Sequence, residues 1–402
     1  MKTTNRFQAG GTATIDEEPM KNTSYLWTSE SVSPGHPDKV ADQISDAVLD
    51  AFLAADPHAK VACEVMVKGR TVYIAGEITA TTDIDDAHLE TVVRRTICDI
   101  GYNADDVGFN GNTCVIVFDI SHQSTEINAA VAKDGIVTAG DQGIMFGYAS
   151  RETPTRMPLA LYLSKEFITE GYGGRERGYP FRPDMKSQVS LLYEGGRAVH
   201  VDSVVFSTCH TESLTLSMLR ELFHDEVLQR VVGKQSEEIQ RLFTDKTRYF
   251  INPAGTWNIG GPVSDCGLTG RKIVVDQYGA DCEIGGGAFS GKDPSKVDRS
   301  AAYMARHIAL RTLAANEEAM SIKVQLAYAI GEEYPVSHRI YDPSSGREYG
   351  LASVTPHDLT PSAIIHHLGL QAPIYLATAH KGHFGIAPYE VNGVRHFAWE
   401  QY

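Results

Sequence analysis

The sequence predicts an α+β fold of three related units, each an antiparallel sheet with helices on one face. Its 402 residues exceed what one core usually holds, because single cores stop growing near ~250–300 residues. Hydrophobic residues make up 42% of the chain and charged residues 22%, enough apolar material to fill several cores. Three segments also share one plan, a pair of alternating strand-like runs followed by a helical pattern.

The shared plan can be followed along the chain. Each strand pair bends or breaks at a glycine: Gly69, Gly195 or Gly331. The strand pairs occupy residues 65–79, 188–207 and 323–341, and the helical patterns occupy residues 88–100, 212–231 and 361–367. Strand-turn-strand-helix segments also resemble one another by accident, so the pattern alone leaves the threefold interpretation open.

Two further helical patterns begin at clusters of polar residues. Apolar side chains recur every four positions in residues 40–53, and Pro57 follows the end of that run. Residues 295–315 show the same spacing. Asp293 is the predicted N-cap of this second helix, and Pro294 its predicted first residue.

Charge and cysteine usage exclude several classes of protein. There are 36 Lys and Arg against 51 Asp and Glu, a net charge of −15, which argues against a nucleic-acid or membrane-surface binder. The six cysteines form no C-x-x-C pair, which indicates reduced thiols in a cytoplasmic protein and no zinc site. No apolar run approaches the ~18 residues of a membrane span. The first two dozen residues are expected to form a flexible tail.

The strongest local signal is a glycine-rich segment, residues 285–291, that leads into Lys292-Asp293-Pro294-Ser295-Lys296. Free backbone N–H groups and the helix dipole favour an anion at such a helix start. Lys292, Lys296 and Arg299 lie at the same end, where the dipole disfavours cations unless a negative group lies between them. A bound polyphosphate explains this arrangement better than a solvated basic turn.

The same segment suggests one alternative, a P-loop nucleoside triphosphatase (NTPase). Residues 286–292 match the G-x-x-x-x-G-K half of that motif. However, Asp293 stands where the magnesium-binding Ser or Thr should be, and no buried strand is evident before the loop. The alternative is therefore disfavoured.

Two more clusters of polar residues contain candidates for binding phosphate or magnesium. Residues 265–272 place Arg271 and Lys272 after a small-residue turn and before a strand-like Ile-Val-Val run. Residues 35–39, Gly-His-Pro-Asp-Lys, open the helix at 40–53, where His36 could face a phosphate and Asp38 could hold a magnesium ion. Each cluster taken alone is equally compatible with an ordinary surface.

Three individual carboxylates and the absence of several known motifs limit the enzyme classes that the sequence supports. Glu64, Glu77 and Asp141 lie at the ends of strand-like runs, where edge or turn roles are the simpler explanation for each. The sequence contains no G-x-S-x-G, H-E-x-x-H or G-x-G-x-x-G motif. Hydrolase, zinc-protease and dehydrogenase assignments therefore have no support.

Taken together, these motifs resemble the S-adenosylmethionine synthetase (methionine adenosyltransferase) family. Residues 285–293 match its glycine-rich signature, and the similarity extends from about Tyr25 to Trp399. The other matching segments, in the family's order, are residues 28–33, 35–39, 140–143, 146–148, 186–189, 251–253 and 265–272. The resemblance implies a pseudo-threefold arrangement of the three units, each with an antiparallel or mixed sheet and helices on one face.

The resemblance also implies a reaction. The methionine sulfur would attack the ribose C5′ of ATP, and the triphosphate would leave and then be cleaved to pyrophosphate and phosphate. A neutral thioether is already a nucleophile and needs no general base, so the enzyme must mainly align the reactants and stabilise a highly charged leaving group. Dense cations together with magnesium would serve that purpose.

Residue roles follow by the same resemblance. The implied catalytic residues are His36, Lys186, Asp265, Arg271, Lys292 and Lys296. The implied ATP contacts are His36, Asp184, Lys186, Thr256, Trp257, Asp265, Arg271, Lys272, Ala288 and Lys292. The implied methionine contacts are Glu77, Gln123, Asp141, Asp265 and Lys296. Asp38 would bind Mg²⁺ and Glu64 would bind K⁺.

The predicted organisation has five parts. They are a tail (1–24), an N-terminal unit (25–122), a mobile gate (123–138), a central unit (139–257) and a C-terminal unit (258–402). The resemblance implies a homodimer with active sites shared between subunits, commonly paired into a homotetramer. The tail, Pro34 and the composition of the gate depart from the family pattern, which leaves gate speed and substrate tolerance open but does not alter the chemistry.

Overall fold

The computed structural model describes residues 24–121, 132–133, 136–351 and 354–402. Residues 1–23 of the predicted tail and most of the predicted gate, including Gln123, lie outside the described residues, whereas Ser24 begins the first strand.

Three sheets carry the fold. They have the strand orders β1-β8-β9-β10, β11-β2-β3-β4 and β13-β12-β7, and two two-stranded ribbons, β5-β6 and β14-β15, accompany them. The strands are β1 Ser24–Val32, β2 Lys60–Lys68, β3 Thr71–Thr79, β4 Val115–Ser121, β5 Ala132–Lys133, β6 Ile136–Val137, β7 Gly143–Ser150, β8 Phe181–Glu194, β9 Arg197–His210, β10 Arg248–Ile251, β11 Gly267–Leu268, β12 Ser321–Tyr328, β13 Ser337–Tyr341, β14 Tyr389–Val391 and β15 Val394–His396. Pairing is antiparallel except for β3 with β4 and β9 with β10, so two of the sheets are mixed.

Helices cover one face of each sheet. The helices are α1 Pro37–Ala55, α2 Asp86–Ile100, α3 Leu159–Gly174, α4 Leu216–Leu222, α5 Gln229–Gly233, α6 Glu237–Gln240, α7 Ile273–Asp276, α8 Val297–Ala315, α9 Pro361–Leu368 and α10 Tyr375–Lys381. Helix α1 packs on β2, α3 on β1 and β8, and α8 on β7 and β12. The predicted α+β architecture of three sheets with helices is confirmed.

Each main sheet borrows a strand from a different part of the chain. Strand β1, from the predicted N-terminal unit, pairs with β8 of the central unit. Strand β7, from the predicted central unit, pairs with β12 of the C-terminal unit. Strand β11, from the predicted C-terminal unit, pairs with β2 of the N-terminal unit. The sheets therefore cross the predicted boundaries in a cyclic exchange, which ties all three units together.

Two hydrophobic cores lie behind the sheets. The larger surrounds α1 and α8, with Val40, Ile44, Met304 and Ile308 buried between helix and sheet. The smaller lies between α3 and the β1-β8-β9-β10 sheet. The four-residue apolar spacing read from the sequence therefore places the inner faces of α1 and α8 correctly. Within the described ranges, no helix combines the length and apolar character needed to cross a bilayer.

Two local predictions were wrong. Residues 273–275 form the first turn of the short helix α7 rather than a strand, because the chain turns there to bring Asp276 to Lys39. Helix α8 begins at Val297 with Lys296 at its N-cap, instead of at Pro294. The Asp293 carboxylate accepts the Val61 and Ser295 N–H groups, so it fixes a turn before the helix.

Candidate active site

Helix α1 opens the site with a neutral histidine. His36 is the N-cap residue, and its Nδ1 accepts the Asp38 backbone N–H at 3.2 Å. An accepting Nδ1 carries no proton, so the remaining proton lies on Nε2. Burial, together with the positive charges of Lys272 and Lys186, lowers the pKa of His36 to about 3. His36 is therefore a neutral hydrogen-bond donor at physiological pH.

A stripe of carboxylates on α1 holds two loops in place. Residues 38, 42 and 46 are spaced by four positions, so they lie on one face of the helix. Their side chains accept backbone N–H groups of the segments 265–272 and 285–293. The pairs are Asp38 with Leu268 (3.0 Å), Asp42 with Gly270 (2.8 Å) and Asp46 with Gly291 (2.8 Å).

Both loops also bind the same edge of strand β2. Gly267 and Leu268 pair with Val67 and Met66 as strand β11. Farther along β2, Lys292 forms an isolated antiparallel bridge with Ala62. The two basic segments that the sequence analysis singled out therefore lie beside one another, between α1 and β2.

Two glycines allow the two loops to come this close to strand β2 and to each other. Gly270 and Gly291 have φ of +76° and +80°, in the region that favours glycine. A Cβ at Gly291 would lie 1.9 Å from the Cys63 carbonyl oxygen, and one at Gly270 would lie 2.3 Å from the Ala288 Cβ. The loop spacing therefore depends on the absence of these side chains, and Ala288 lies directly against the 265–272 loop.

The predicted phosphate-binding cations fall into two groups. Lys272, Lys292 and Lys296 form ion pairs with Asp38, Asp298 and Asp293, respectively. Lys186 and Arg271 are exposed, and their side chains make no hydrogen bond or ion pair with any described residue. These two cations are therefore immediately available to an anionic ligand, whereas the three lysines would share or exchange their carboxylate partners.

Arg299 does not belong with the predicted phosphate-binding cations. Its guanidinium is fully buried and makes two hydrogen bonds to Asp46, at 2.7 and 2.8 Å. The sequence analysis assigned the offsetting negative charge near this helix end to a bound polyphosphate. For Arg299, Lys292 and Lys296, protein carboxylates supply it in this structure.

Asp184 joins the group around His36. Its Oδ2 accepts the Gly261 N–H at 2.8 Å, while its Oδ1 is buried without a hydrogen-bond partner. Burial raises its pKa to about 6, Lys186 opposes this effect, and Asp265 and Asp38 add to it. Asp184, Lys186, Asp265 and Asp38 are therefore close enough to influence one another's charge.

A second acidic group lies on the open face of the β2-β3 hairpin. Glu77 pairs with Ala62 and Glu64 with Ala75, so the two glutamates are diagonal neighbours two residue pairs apart on the same face, and both are exposed. Burial raises the pKa of Glu64, Lys292 opposes this rise, and Glu77 adds to it. Glu64 lies within β2 instead of at its end, so that part of the sequence description was wrong.

The structure does not join every predicted residue to this cluster. Trp257 donates its Nε1–H to the Ile259 carbonyl, and neither its side chain nor that of the exposed Thr256 forms a hydrogen bond with the described residues of the basic loops. Asp141 is exposed and accepts the Gln142 N–H. It lies just before Gly143, whose own neighbourhood includes the Asp298 carboxylate.

Sequence reasoning missed Asp42 and Asp46. Both are fully buried and hold the loops that carry the predicted cations. The available signal was the acidic spacing of four on α1, which aligns them with Asp38 on one helix face. Burial of that face could not be inferred, because acidic stripes usually face solvent.

Family comparison agrees with this geometry along nearly the whole chain. The S-adenosylmethionine synthetase N-terminal, central and C-terminal domains match residues 24–125, 136–257 and 259–401. The chain belongs to the S-adenosylmethionine synthetase family. It is a methionine adenosyltransferase, which makes S-adenosylmethionine from ATP and methionine. Enzymes of this family use ATP and generally need a divalent metal.

Proposed function

We propose that this S-adenosylmethionine synthetase uses the two loops between α1 and β2 to bind and release a triphosphate. A lone pair of the methionine sulfur forms the S–C5′ bond as the C5′–O bond breaks, and that bond's electron pair leaves on the triphosphate. Water then cleaves the triphosphate to pyrophosphate and phosphate. No proton leaves the thioether, so the protein's main contribution is alignment and charge stabilisation.

The observation that carries this proposal is the grouping of donors around His36. The Nε2–H of His36 is a neutral donor suited to the oxygen that departs from C5′. Lys186 is near enough to His36 to lower its pKa, and Arg271 adjoins Lys272 in the loop. The side chains of Lys186 and Arg271 have no partner among the described residues, so their donors are available to phosphate oxygens. Lys272 and Lys292 would add to this grip by exchanging a carboxylate partner for phosphate.

The remaining roles stay proposals that rest on the family resemblance. Trp257 would stack on adenine, with Thr256, Asp184 and Ala288 near the nucleotide. Asp265 would contact both substrates, and Lys296 would face the methionine carboxylate. Glu77, Gln123 and Asp141 complete the proposed methionine contacts, of which Gln123 lies outside the described residues.

The donor set around Asp38 fits magnesium. Burial opposes ionisation, but hydrogen bonds from Lys272 and the Leu268 N–H outweigh it and lower the pKa of Asp38. No cluster of three His, Cys, Asp or Glu ligands occurs in the described ranges, so phosphate oxygens and water would supply the other ligands. Bound Mg²⁺ would offset phosphate charge. Glu64 is the proposed K⁺ ligand, since a cation would relieve its repulsion with Glu77.

Apolar side chains on the sheet faces that the helices do not cover support a dimer. Large apolar side chains on all three sheets are exposed, among them Leu26 (54%), Val117 (40%) and Ile144 (47%). Large apolar side chains exposed on sheet faces are typical of a protein–protein interface when they lie together. We propose a homodimer that buries these faces and completes the active sites, with pairing into a homotetramer. Six free cysteines agree with the proposed cytoplasmic location.

Val117→Glu tests the proposed interface. The charge would have to be buried against the partner sheet, so the dimer should dissociate and turnover should fall about tenfold or more. Sedimentation velocity measures the mass and a product assay the turnover. Val336→Glu, on a loop residue that is 62% exposed, is the matched control and should change neither. An active Val117→Glu dimer would contradict the proposed interface.

The proposed reaction is tested with ATP, magnesium, potassium and labelled methionine. The sulfonium product should appear together with equal amounts of pyrophosphate and phosphate. Arg271→Ala should lower kcat/KM for ATP about 10- to 100-fold, because a charged donor to phosphate is lost. Lys246→Ala, at an exposed lysine outside the cluster, is the control. ADP release without methionine, or an unchanged Arg271→Ala enzyme, would argue against the proposal.

A further inference from the structure

A second cavity lies outside the active site, where the β1-β8 sheet meets strands β7 and β12. It has a volume of about 480 Å³. Its lining includes four aromatic rings and two carboxylates: Tyr25, Trp27, Tyr148, Tyr193, Glu152 and Asp281. We call this feature the aromatic cavity.

The aromatic side chains are arranged as walls. Tyr25 stacks on Tyr193 with ring centroids 5.4 Å apart, and it meets Trp27 edge to face at 6.3 Å and 87°. Tyr193 and Tyr148 are buried, whereas Tyr25 is 43% exposed and forms the open side. Rings at right angles present a negative face and a positive edge, and a cation in such a corner is attracted to the faces.

The two carboxylates are unequally satisfied. Glu152 accepts the Tyr193 hydroxyl at 2.6 Å and the Leu159 N–H at 3.3 Å. Asp281 Oδ2 and the Trp27 Nε1–H are both buried without a close hydrogen-bond partner, and the Trp27 N–H lies near enough to Asp281 to favour its ionised form. A neutral N–H does not offset the charge of a carboxylate, so Asp281 still lacks the counter-charge that a buried ionised group normally has.

The charges that face Asp281 favour a cation as that partner. Burial raises the pKa of Asp281 to about 7, Glu152 adds to this rise, and Trp27 and Lys323 oppose it. Lys323 is already paired with Glu283 at 2.9 Å. Arg197 lies in the lining and is exposed, so it offsets one of the two carboxylates. When Asp281 is ionised, one negative charge remains, and a bound cation would hold Asp281 in that form against the burial that raises its pKa.

The wall chemistry indicates the kind of cation. Mg²⁺ and Ca²⁺ require several oxygen ligands and keep tightly held water, which aromatic walls cannot replace. Sulfonium and quaternary ammonium ions hold no such shell and are recognised by aromatic faces. The enzyme's own product is a sulfonium.

We propose that the aromatic cavity binds an organic onium cation, held over Trp27 and Tyr25 and neutralised by Asp281. Two sources share this chemistry: the sulfonium product and a quaternary ammonium compound such as choline. Occupancy from either source would place a second, non-catalytic ligand on each chain.

Binding is measured on the full chain by tryptophan fluorescence and calorimetry. The probes are S-adenosylmethionine, choline and their uncharged counterparts, S-adenosylhomocysteine and the tert-butyl analogue of choline. Choline should bind with a Kd on the order of 1 mM, and its neutral analogue at least ~10-fold more weakly. S-adenosylmethionine should occupy a second site per chain from which choline displaces it, if the product is the source.

Variants separate this cavity from the active site. Asp281→Asn and Tyr25→Leu should each weaken choline binding at least ~10-fold and leave initial-rate turnover unchanged. Tyr334→Leu is the matched control, at a tyrosine that is 45% exposed and outside the cavity. Tyr25→Leu alters a side chain that is 43% exposed, so it decides the test if Asp281→Asn does not fold.

The outcomes are distinct. Choline binding without a second S-adenosylmethionine site supports the cavity and assigns it to quaternary ammonium ligands. Loss of the second S-adenosylmethionine site in Tyr25→Leu supports it and assigns it to the product. The proposal is wrong if neither cation binds, if the neutral analogues bind equally well, or if both variants bind like the parent enzyme.

Discussion

His36→Ala is expected to slow sulfonium formation by about 10²- to 10³-fold while changing the Kd for ATP only a few-fold. The oxygen that leaves C5′ gains negative charge only as the C5′–O bond breaks, so a hydrogen bond from the Nε2–H to it contributes most in the transition state. Ground-state binding of ATP depends instead on the cations around it, among them Lys186 and Arg271. A loss confined to the chemical step is the signature of such a donor.

Single-turnover kinetics with excess enzyme separate this step from product release. ATP binding is followed by equilibrium dialysis in the absence of methionine. His338→Ala, at an exposed histidine on β13, is the matched control and should behave like the parent. Equal losses in ATP binding and in the chemical step would exclude the proposed role for His36.

The same histidine predicts a pH response. Because burial lowers the pKa of His36 to about 3, its imidazole stays neutral from pH 5 to 8 and should contribute no ionisation to the rate. The unfolded chain binds a proton near pH 6.5, whereas the folded chain resists it until about pH 3. His36 therefore lowers stability progressively as the pH falls through this window. A rate ionisation near 6.5 that disappears in His36→Ala would contradict a neutral His36.

Arg299→Ala is expected to lower the free energy of unfolding by about 3–5 kcal/mol. Both partners of the Arg299–Asp46 pair are fully buried, so truncation leaves the Asp46 carboxylate without a counter-charge. Asp46 also accepts the Gly291 N–H, which ties the pair to the glycine-rich loop. The loss should therefore reduce ATP affinity as well as stability.

Denaturant unfolding gives the change in the free energy of unfolding. The affinity for ATP reports on the position of the glycine-rich loop. The double variant Asp46→Leu with Arg299→Met should lose less stability than Arg299→Ala, because no buried charge remains unpaired. It still leaves the Gly291 N–H unsatisfied, so ATP affinity should not recover. Arg241→Ala is the control, since Arg241 and Glu237 form a pair exposed to 75% and 82%. A double variant as unstable as Arg299→Ala would show that shape, not charge, dominates.

Local patterns in the sequence predicted much of the fold. Alternation and a glycine turn predicted the β2-β3 and β8-β9 hairpins, and the four-residue apolar spacing predicted α1 and α8. These signals are legible because they depend on neighbours within a few positions. The start of α8 was misplaced because the side chain of Asp293 binds Val61, 232 residues away in the sequence.

In the candidate site, too, local features could be predicted and long-range contacts could not. Residue type and spacing singled out His36, Asp38, Arg271 and Lys292, together with the glycine-rich loop. The pairing of Lys272 with Asp38 and the role of Asp46 did not emerge, because a carboxylate's partner depends on which distant segment folds against it. Trp257 and Thr256 are the opposite case: they were predicted from the sequence as ATP contacts, but the fold of one chain does not bring them to the cluster.

The sequence by itself determined the chemistry that the chain can offer: anion-binding helix starts, scarce cations next to glycines, and a family signature along nearly its whole length. Tertiary structure alone decided which cations remain available and which are neutralised, and how β1, β7 and β11 pass between the sheets. The physical reason is that ion pairing and strand pairing depend on spatial distance, and spatial neighbours here are often separated by more than 200 residues.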